Sequence, residues 1–90
     1  MEQVKEYHIN NSTIKIIFGN IVDSQAEVIV SSDDSDITMG GGVSMAIRRK
    51  EGTEAIQLDV KKKTPAEIGD VVVSTAGSLQ QKFIFHVITI

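Results

Sequence analysis

The sequence predicts an α/β domain, a mixed and largely parallel sheet with flanking helices. Three observations lead there. Apolar runs at Val28–Val30, Val71–Ser74 and Phe83–Ile90 are rich in β-branched or aromatic residues, the mark of buried strands. Between the first and second of them lie two stretches with apolar residues at helical spacing. The link from the first strand to the first helix is a polar block followed by Gly40-Gly41-Gly42. In open α/β sheets, that position beyond the carboxyl end of a strand is where ligands sit.

Taken in order, Val4 to Ile9 is mixed in character, Asn10-Asn11-Ser12 is turn material, and Thr13 to Phe18 alternates with Ile14, Ile16 and Phe18 on one face. This reads as an antiparallel hairpin, with Tyr7 packing on the sheet. Gly19-Asn20 breaks it. Val28-Ile29-Val30 is a strand covered on both faces, and Ser31 to Asp36 reads as a loop. The first helix spans Val43–Lys50, with Val43, Ala46 and Ile47 as its apolar stripe. Gly52 ends it, and Thr53 is placed to cap a second helix over Glu54–Lys63, whose apolar side is Ala55, Ile56, Leu58 and Val60. Lys61-Lys62-Lys63 complements the dipole at its end, and Thr64-Pro65 stops it. Gly69-Asp70 and Gly77-Ser78 turn the chain into the last two strands.

Ninety residues are enough for one domain, taken as 1–90, and 41% hydrophobic residues is ordinary for a globular protein. A formal net charge of −3 gives no support for a specific nucleic-acid or anionic-membrane partner. With no cysteine, thiolate metal sites, disulfides and thiol nucleophiles are excluded. The first residues have no signal-peptide core and no apolar run spans a membrane, so a cytoplasmic location is the expectation.

The glycine run carries the most chemistry. Glycine lets the backbone approach a ligand with no Cβ in the way. The first turn of the following helix offers N–H groups without intrahelical partners at the positive end of its dipole. Together these suit a phosphate or diphosphate. Asp33, Asp34 and Asp36 supply hard oxygens that either cap the helix or hold a divalent cation; no metal and no cofactor is assigned. His8 and His86 read as surface or packing residues.

Set in this order, the motifs resemble the first half of a macrodomain, the ADP-ribose-binding three-layer α/β/α family. Its G-D-I-T stands here as Gly19-Asn20-Ile21-Val22, its N-A-A-N as Ser31-Ser32-Asp33-Asp34, and its G-G-G-V-D-x-A-I as Gly40 to Ile47. The Gly69 to Gly77 stretch and the strand around His86 also fall where the family has theirs. The resemblance implies that Gly19, Asn20 and Ile21 meet an adenine, with Asn20 replacing an aspartate. It implies that Gly40, Gly41, Gly42 and Val43 meet the diphosphate and distal ribose, with Ser32, Asp33, Asp34 and Ser44 around them. Where hydrolytic members carry a catalytic Asn and Asp, this chain has Asp34 and Ser44. A serine with no adjacent base cannot replace that carboxylate, so a binder of ADP-ribose, related NAD metabolites or ADP-ribosylated protein is expected ahead of an enzyme.

Two alternatives stand beside it. One is an ADP-ribosyl hydrolase in which Asp33 or Asp34, with Asp34 as the catalytic candidate, replaces the usual pair. The other is a degenerate interaction or sensor domain of a larger protein. Because macrodomains continue past the strand resembling 83–90, the chain is expected to be a partial macrodomain. Its uncovered apolar surface would then be met by a second copy or by the missing half.

Overall fold

The computed structural model describes residues 4–40, 42–50 and 54–90. Strands β1 (Val4–Ile9) and β2 (Ser12–Ile17) form an antiparallel hairpin with Val4 opposite Ile17 and Ile9 opposite Ser12. The turn is made at Asn10, φ 53°, a left-handed conformation that Asn tolerates because its short amide can bond locally. The second strand starts one residue earlier than predicted. Every residue of the hairpin is exposed, and Tyr7, opposite Ile14 in the ribbon, is half exposed. A single 3₁₀ turn, Ile21–Asp23, follows.

The main sheet contains β3 (Val28–Asp33), β4 (Val71–Thr75) and β5 (Phe83–Ile88), in the order β3-β5-β4. It is mixed: β3 runs parallel to β5, and β4 antiparallel to it. The strand after the helices is therefore not the parallel partner that a strand–helix–strand reading suggests. Residues 76–82 are too short a link for a parallel crossover, so β4 and β5 must pair antiparallel. The parallel partner of β3 is the last strand.

Helices α1 (Gly42–Lys50) and α2 (Glu54–Lys61) start within a residue of their predicted positions. The expected helix stop at Gly52 and cap at Thr53 lie outside the described residues. Helix α1 packs on β3 and α2 on β4, over one face of the sheet. Ile29, Ile84, Ile88 and Val72 from the sheet meet Ile47, Ile56 and Val60 from the helices, with Ile37 and Met39 from the β3–α1 loop. Each fully buried aliphatic side chain contributes about 1.5–3 kcal/mol.

Three expectations are corrected here. First, the strands are covered on one face only: Val30 is 58% exposed and Val71 54%, beside a buried Ile29 and Val72. Second, Ser31-Ser32-Asp33 is not loop but the second half of β3, paired with His86, Val87 and Ile88. The polar residues look like loop in sequence, yet every second one lands on the covered face. Third, Ala55 and Leu58 point to solvent, and the buried side of α2 is Ile56 and Val60, an i, i+4 pair. The lysines at the end of α2 are exposed as expected, and Lys63 Nζ donates to the Val73 carbonyl at 2.6 Å.

Candidate functional site

The loop from β3 to α1 leaves the carboxyl end of β3, beside the end of its parallel neighbour β5. Asp34 organises it. Its Oδ1 accepts from the Thr38 N–H and the Thr38 hydroxyl, both at 2.9 Å, and its carbonyl accepts from Ile37 N–H at 2.9 Å. The Thr38 N–H, with the other bonds to Asp34 outweighing a small desolvation, holds the Asp34 carboxyl below its ordinary range. Ile37 (φ 50°) and Met39 (φ 59°) are left-handed although neither is glycine, and both side chains are fully buried. Such backbone costs about 1–2 kcal/mol per residue. Here the burial of two large apolar side chains offsets it. Gln57 Nε2 donates to the Ile37 carbonyl at 3.3 Å, tying the loop to α2.

The glycines follow directly. Gly42 is left-handed at φ 59° and opens α1; neither it nor Gly40 has a heavy atom within 3.4 Å of where a Cβ would stand. The backbone at both positions is thus open to a ligand. Gly41 lies outside the described residues. Val43 is half-buried against the core.

Beneath this turn lies a chain of buried polar groups. Ser31 Oγ is 2.7 Å from Ser44 Oγ, and Ser44 donates to Asp33 Oδ1 at 2.6 Å. Asp33 Oδ2 is 2.8 Å from His86 Nδ1, and His86 Nε2 is 2.7 Å from Ser74 Oγ. All five side chains are buried, Asp33 at 5% exposure and His86 at 0%. Burial pushes the Asp33 carboxyl up, but bonds from His86, Ser44 and Ser31 and the charge of His86 together hold it below the usual carboxylate range. Ser44 is thus not a serine without an adjacent base, as the sequence suggested; a carboxylate touches it. That carboxylate comes from the end of β3, not from the helix.

Ser74–His86–Asp33 has the connectivity of a hydrolase triad. Its hydroxyl is 2% exposed and donates to the Thr75 carbonyl at 3.0 Å, so no substrate carbonyl can reach it. Around Ser44 the carboxylate, not the imidazole, is the nearest base, and Ser44 is equally buried. Neither serine is placed as a nucleophile.

Gly19, Asn20 and Ile21 line an open cleft of about 710 Å³ with Lys15, Ile17 and the Asp23–Ala26 segment. Asn20 caps the 3₁₀ turn, its Oδ1 accepting from Val22 N–H at 3.3 Å. That turn packs against α1, and buried Gln81 clamps it from the start of β5 through bonds to the Val22 and Ser24 carbonyls, 3.1 and 2.6 Å. Among the described residues, Gly40, Gly42 and Val43 take no part in lining this cleft. Ser32 is on the opposite, exposed face, with its hydroxyl 2.7 Å from that of Thr89. The predicted site residues therefore divide into the Asn20 arm, the glycine turn with Asp34 at its base, and an internal pair, Asp33 and Ser44. Among the described residues no three His, Cys, Asp or Glu side chains gather as metal ligands. Their helices include none long and apolar enough to cross a membrane.

Sequence reasoning missed His86, Ser74, Ser31 and Gln81. Each of the first three lies two residues after a buried apolar residue of its strand, Ile84, Val72 and Ile29, so period 2 alone points them to one face. Only the register brings them together.

The profile of the Macro domain family matches residues 30–90, which carry the glycine turn, both helices and the whole three-stranded sheet except the first residues of β3. The chain belongs to that family. An uncharacterized protein of Aquifex aeolicus is 40% identical over 81% of this chain and 44% of its own length. A macro domain-containing protein of Caldanaerobacter subterraneus is 35% identical over 83% of this chain and 45% of its own. The chain thus spans about half the length of these relatives. The Oceanobacillus iheyensis macrodomain with MES bound superposes with a TM-score of 0.82 at 26% identity, covering 98% of this chain and 50% of that one. A variant of the same macrodomain with ADPR gives a TM-score of 0.79 at 25% identity, covering 96% and 50%.

Proposed function

We propose that this macrodomain binds ADP-ribose, free or attached to protein, and does not cleave it. The observation that carries this reading is the preset β3–α1 loop, which leaves Gly40 and Gly42 open at the start of α1. A helix N-terminus preceded by open glycine backbone suits a diphosphate. The solved relative with ADPR supports the choice of ligand. On this reading the Asn20 arm meets the base. Binding without turnover follows from the carboxylate being turned inward: Asp33 is bonded to Ser44 and His86 and faces no open space.

Isothermal titration of the chain with ADP-ribose tests the reading. Gly40→Glu is the discriminating variant, because Gly40 is not left-handed and an added side chain meets only the Thr38 hydroxyl, at 3.8 Å. It should abolish binding with the fold intact. Gly42→Glu should do the same but carries backbone strain as well. Absence of heat with the wild-type chain, or equal affinity in Gly40→Glu, contradicts the proposal. Release of ADP-ribose from a modified protein by the wild-type chain contradicts its second half.

A further inference from the structure

The two outer edges of the main sheet are not alike. Along a strand the backbone groups of successive residues turn to opposite sides, so alternate residues bond to the same neighbour. The Glu27 carbonyl accepts from Phe83 N–H at 3.3 Å and the Asp33 carbonyl from Thr89 N–H at 3.0 Å, so the odd-numbered residues of β3 turn to β5. Val28, Val30 and Ser32 turn their N–H and C=O groups outward, and among the described residues no strand lies beside them. Residues 28–32 also carry none of the usual guards of an edge: no charge, no proline and no bulge. In β4 the outward residues are Val73 and Thr75, and side chains from the end of α2 close that edge. Lys63 Nζ donates to the Val73 carbonyl at 2.6 Å, Thr75 N–H donates to Asp59 Oδ2 at 2.7 Å, and Lys63 and Asp59 pair at 3.7 Å.

The hairpin poses the converse problem. Strands β1 and β2 pair only with each other, and every residue in them is exposed. A lone two-stranded ribbon is marginally stable in water; a third strand or a packed face is needed to hold it. Yet the Oceanobacillus iheyensis macrodomain with MES bound superposes on 98% of this chain, hairpin included, and only 50% of that structure is used in doing so. The hairpin thus stands where a complete macrodomain has it, without a strand beside it here.

We propose that the outer edge of β3 and the hairpin form one docking surface for the half of a macrodomain that this chain does not match. That half adds a strand along Val28–Ser32, with backbone bonds at Val28, Val30 and Ser32, and ties the hairpin to the main sheet. The same partner covers the bare apolar face beside the edge, where Val30, Val71, Val73 and Phe83 are between 41% and 58% exposed. A second copy of this chain fits less well, because it gives no reason for the hairpin to be placed as in a macrodomain. The docking depends on the macrodomain fold and not on ADP-ribose binding, and the surface is the same whether the partner is joined to this chain or separate.

Amide exchange followed by NMR tests it in two arms. In the 90-residue chain alone, exchange should be at least about tenfold slower at Ile29, Ser31 and Asp33 than at Val28, Val30 and Ser32, and fast throughout the hairpin. In the second arm, a glycine–serine linker joins the chain to the residues of the Aquifex aeolicus relative that it does not match, which makes the encounter intramolecular. The Val28, Val30, Ser32 and hairpin amides should then slow by at least about tenfold. Val30→Pro removes one outward N–H without touching the ladder to β5, and should cancel that protection. Val73→Pro, the same change on the edge closed by α2, should leave it in place. Val30→Lys, which keeps the N–H but sets a charge on the edge, is the second variant and carries the same expectation as Val30→Pro. A lone chain in which Val28, Val30 and Ser32 exchange as slowly as their neighbours overturns the proposal, and dimers in light scattering would then identify a second copy as the occupant. Joined chains that leave these amides fast, or protection lost equally at both edges, overturn it as well.

Discussion

Ser44→Asp, which returns a carboxylate to the first turn of α1, should be strongly destabilising in this chain. Ser44 Oγ is already 2.6 Å from Asp33 Oδ1 in a site closed to solvent. Two carboxylates held about 4 Å apart at an effective dielectric constant near 20 repel by about 4 kcal/mol. The alternative is to protonate one of them at neutral pH, about three pH units above an ordinary carboxyl, which also costs about 4 kcal/mol at 1.36 kcal/mol per unit. Both routes give the same scale, so a loss of about 3–4 kcal/mol is expected. For a domain this small, that lowers Tm by about 15 °C or more. Asp33→Ala alone should also destabilise, because His86 and Ser44 lose their shared acceptor. The double variant Asp33→Ala/Ser44→Asp removes the repulsion, so thermal or urea unfolding of the four proteins should show coupling of at least about 2 kcal/mol. A cycle that closes near zero would show that the two positions do not share one charge, and the reasoning would be wrong.

Further outcomes are expected. Ile56→Ala should cost about 2–5 kcal/mol in urea unfolding, whereas Leu58→Ala, on the solvent side of the same helix, should cost under about 0.5 kcal/mol. Gln81→Ala takes the donor from the buried Val22 carbonyl, while Gln80 still serves the Ser24 carbonyl, and should cost about 1–3 kcal/mol, with Asn20 and Val22 amide shifts reporting a loosened 3₁₀ turn. Because the Asp33 carboxyl is held below its ordinary value of 3.8, its contribution is fully present above that pH and is lost as pH falls through the lower folded value. Asp33→Asn should therefore be less stable than wild type at neutral pH, with the gap closing only below pH 3.8; a gap that is unchanged in acid contradicts the assignment.

Most of the architecture was legible because it rests on local periodicity. The hairpin, both helices and the cores of β3, β4 and β5 follow from alternation, helical stripes and turn residues. The side of each element was harder. Val30 and Ile29 are chemically alike, and nothing local says that one is exposed and the other buried. Leu58 misled in the same way. Ser31 to Asp33 were misread because polarity outweighed alternation, although their partners in β5 lie more than fifty residues away. At the candidate site, the glycine turn was visible as a pattern; Asp34, expected to cap a helix or hold a cation, instead braces the loop through Thr38, ahead of the start of α1. The inward turn of Asp33 was not, since it depends on His86 and Ser74 arriving from two other strands. A resemblance read position by position marks Ser44 as a lost carboxylate; only three-dimensional proximity shows one supplied from position 33.

The left-handed Ile37 and Met39 bear on how the loop can move. Neither residue can leave its conformation without withdrawing a large side chain from the centre of the domain. Local opening of 34–39 is thereby tied to opening of the whole core, unlike an ordinary surface loop. Amide hydrogens of Ile37 and Thr38, bonded to Asp34, should accordingly exchange on the timescale of global unfolding. An incoming ligand would meet a surface whose order was fixed at folding. Its recognition would proceed without an ordering transition in this segment, and differences in affinity among ligands would report their fit rather than the stability of the loop.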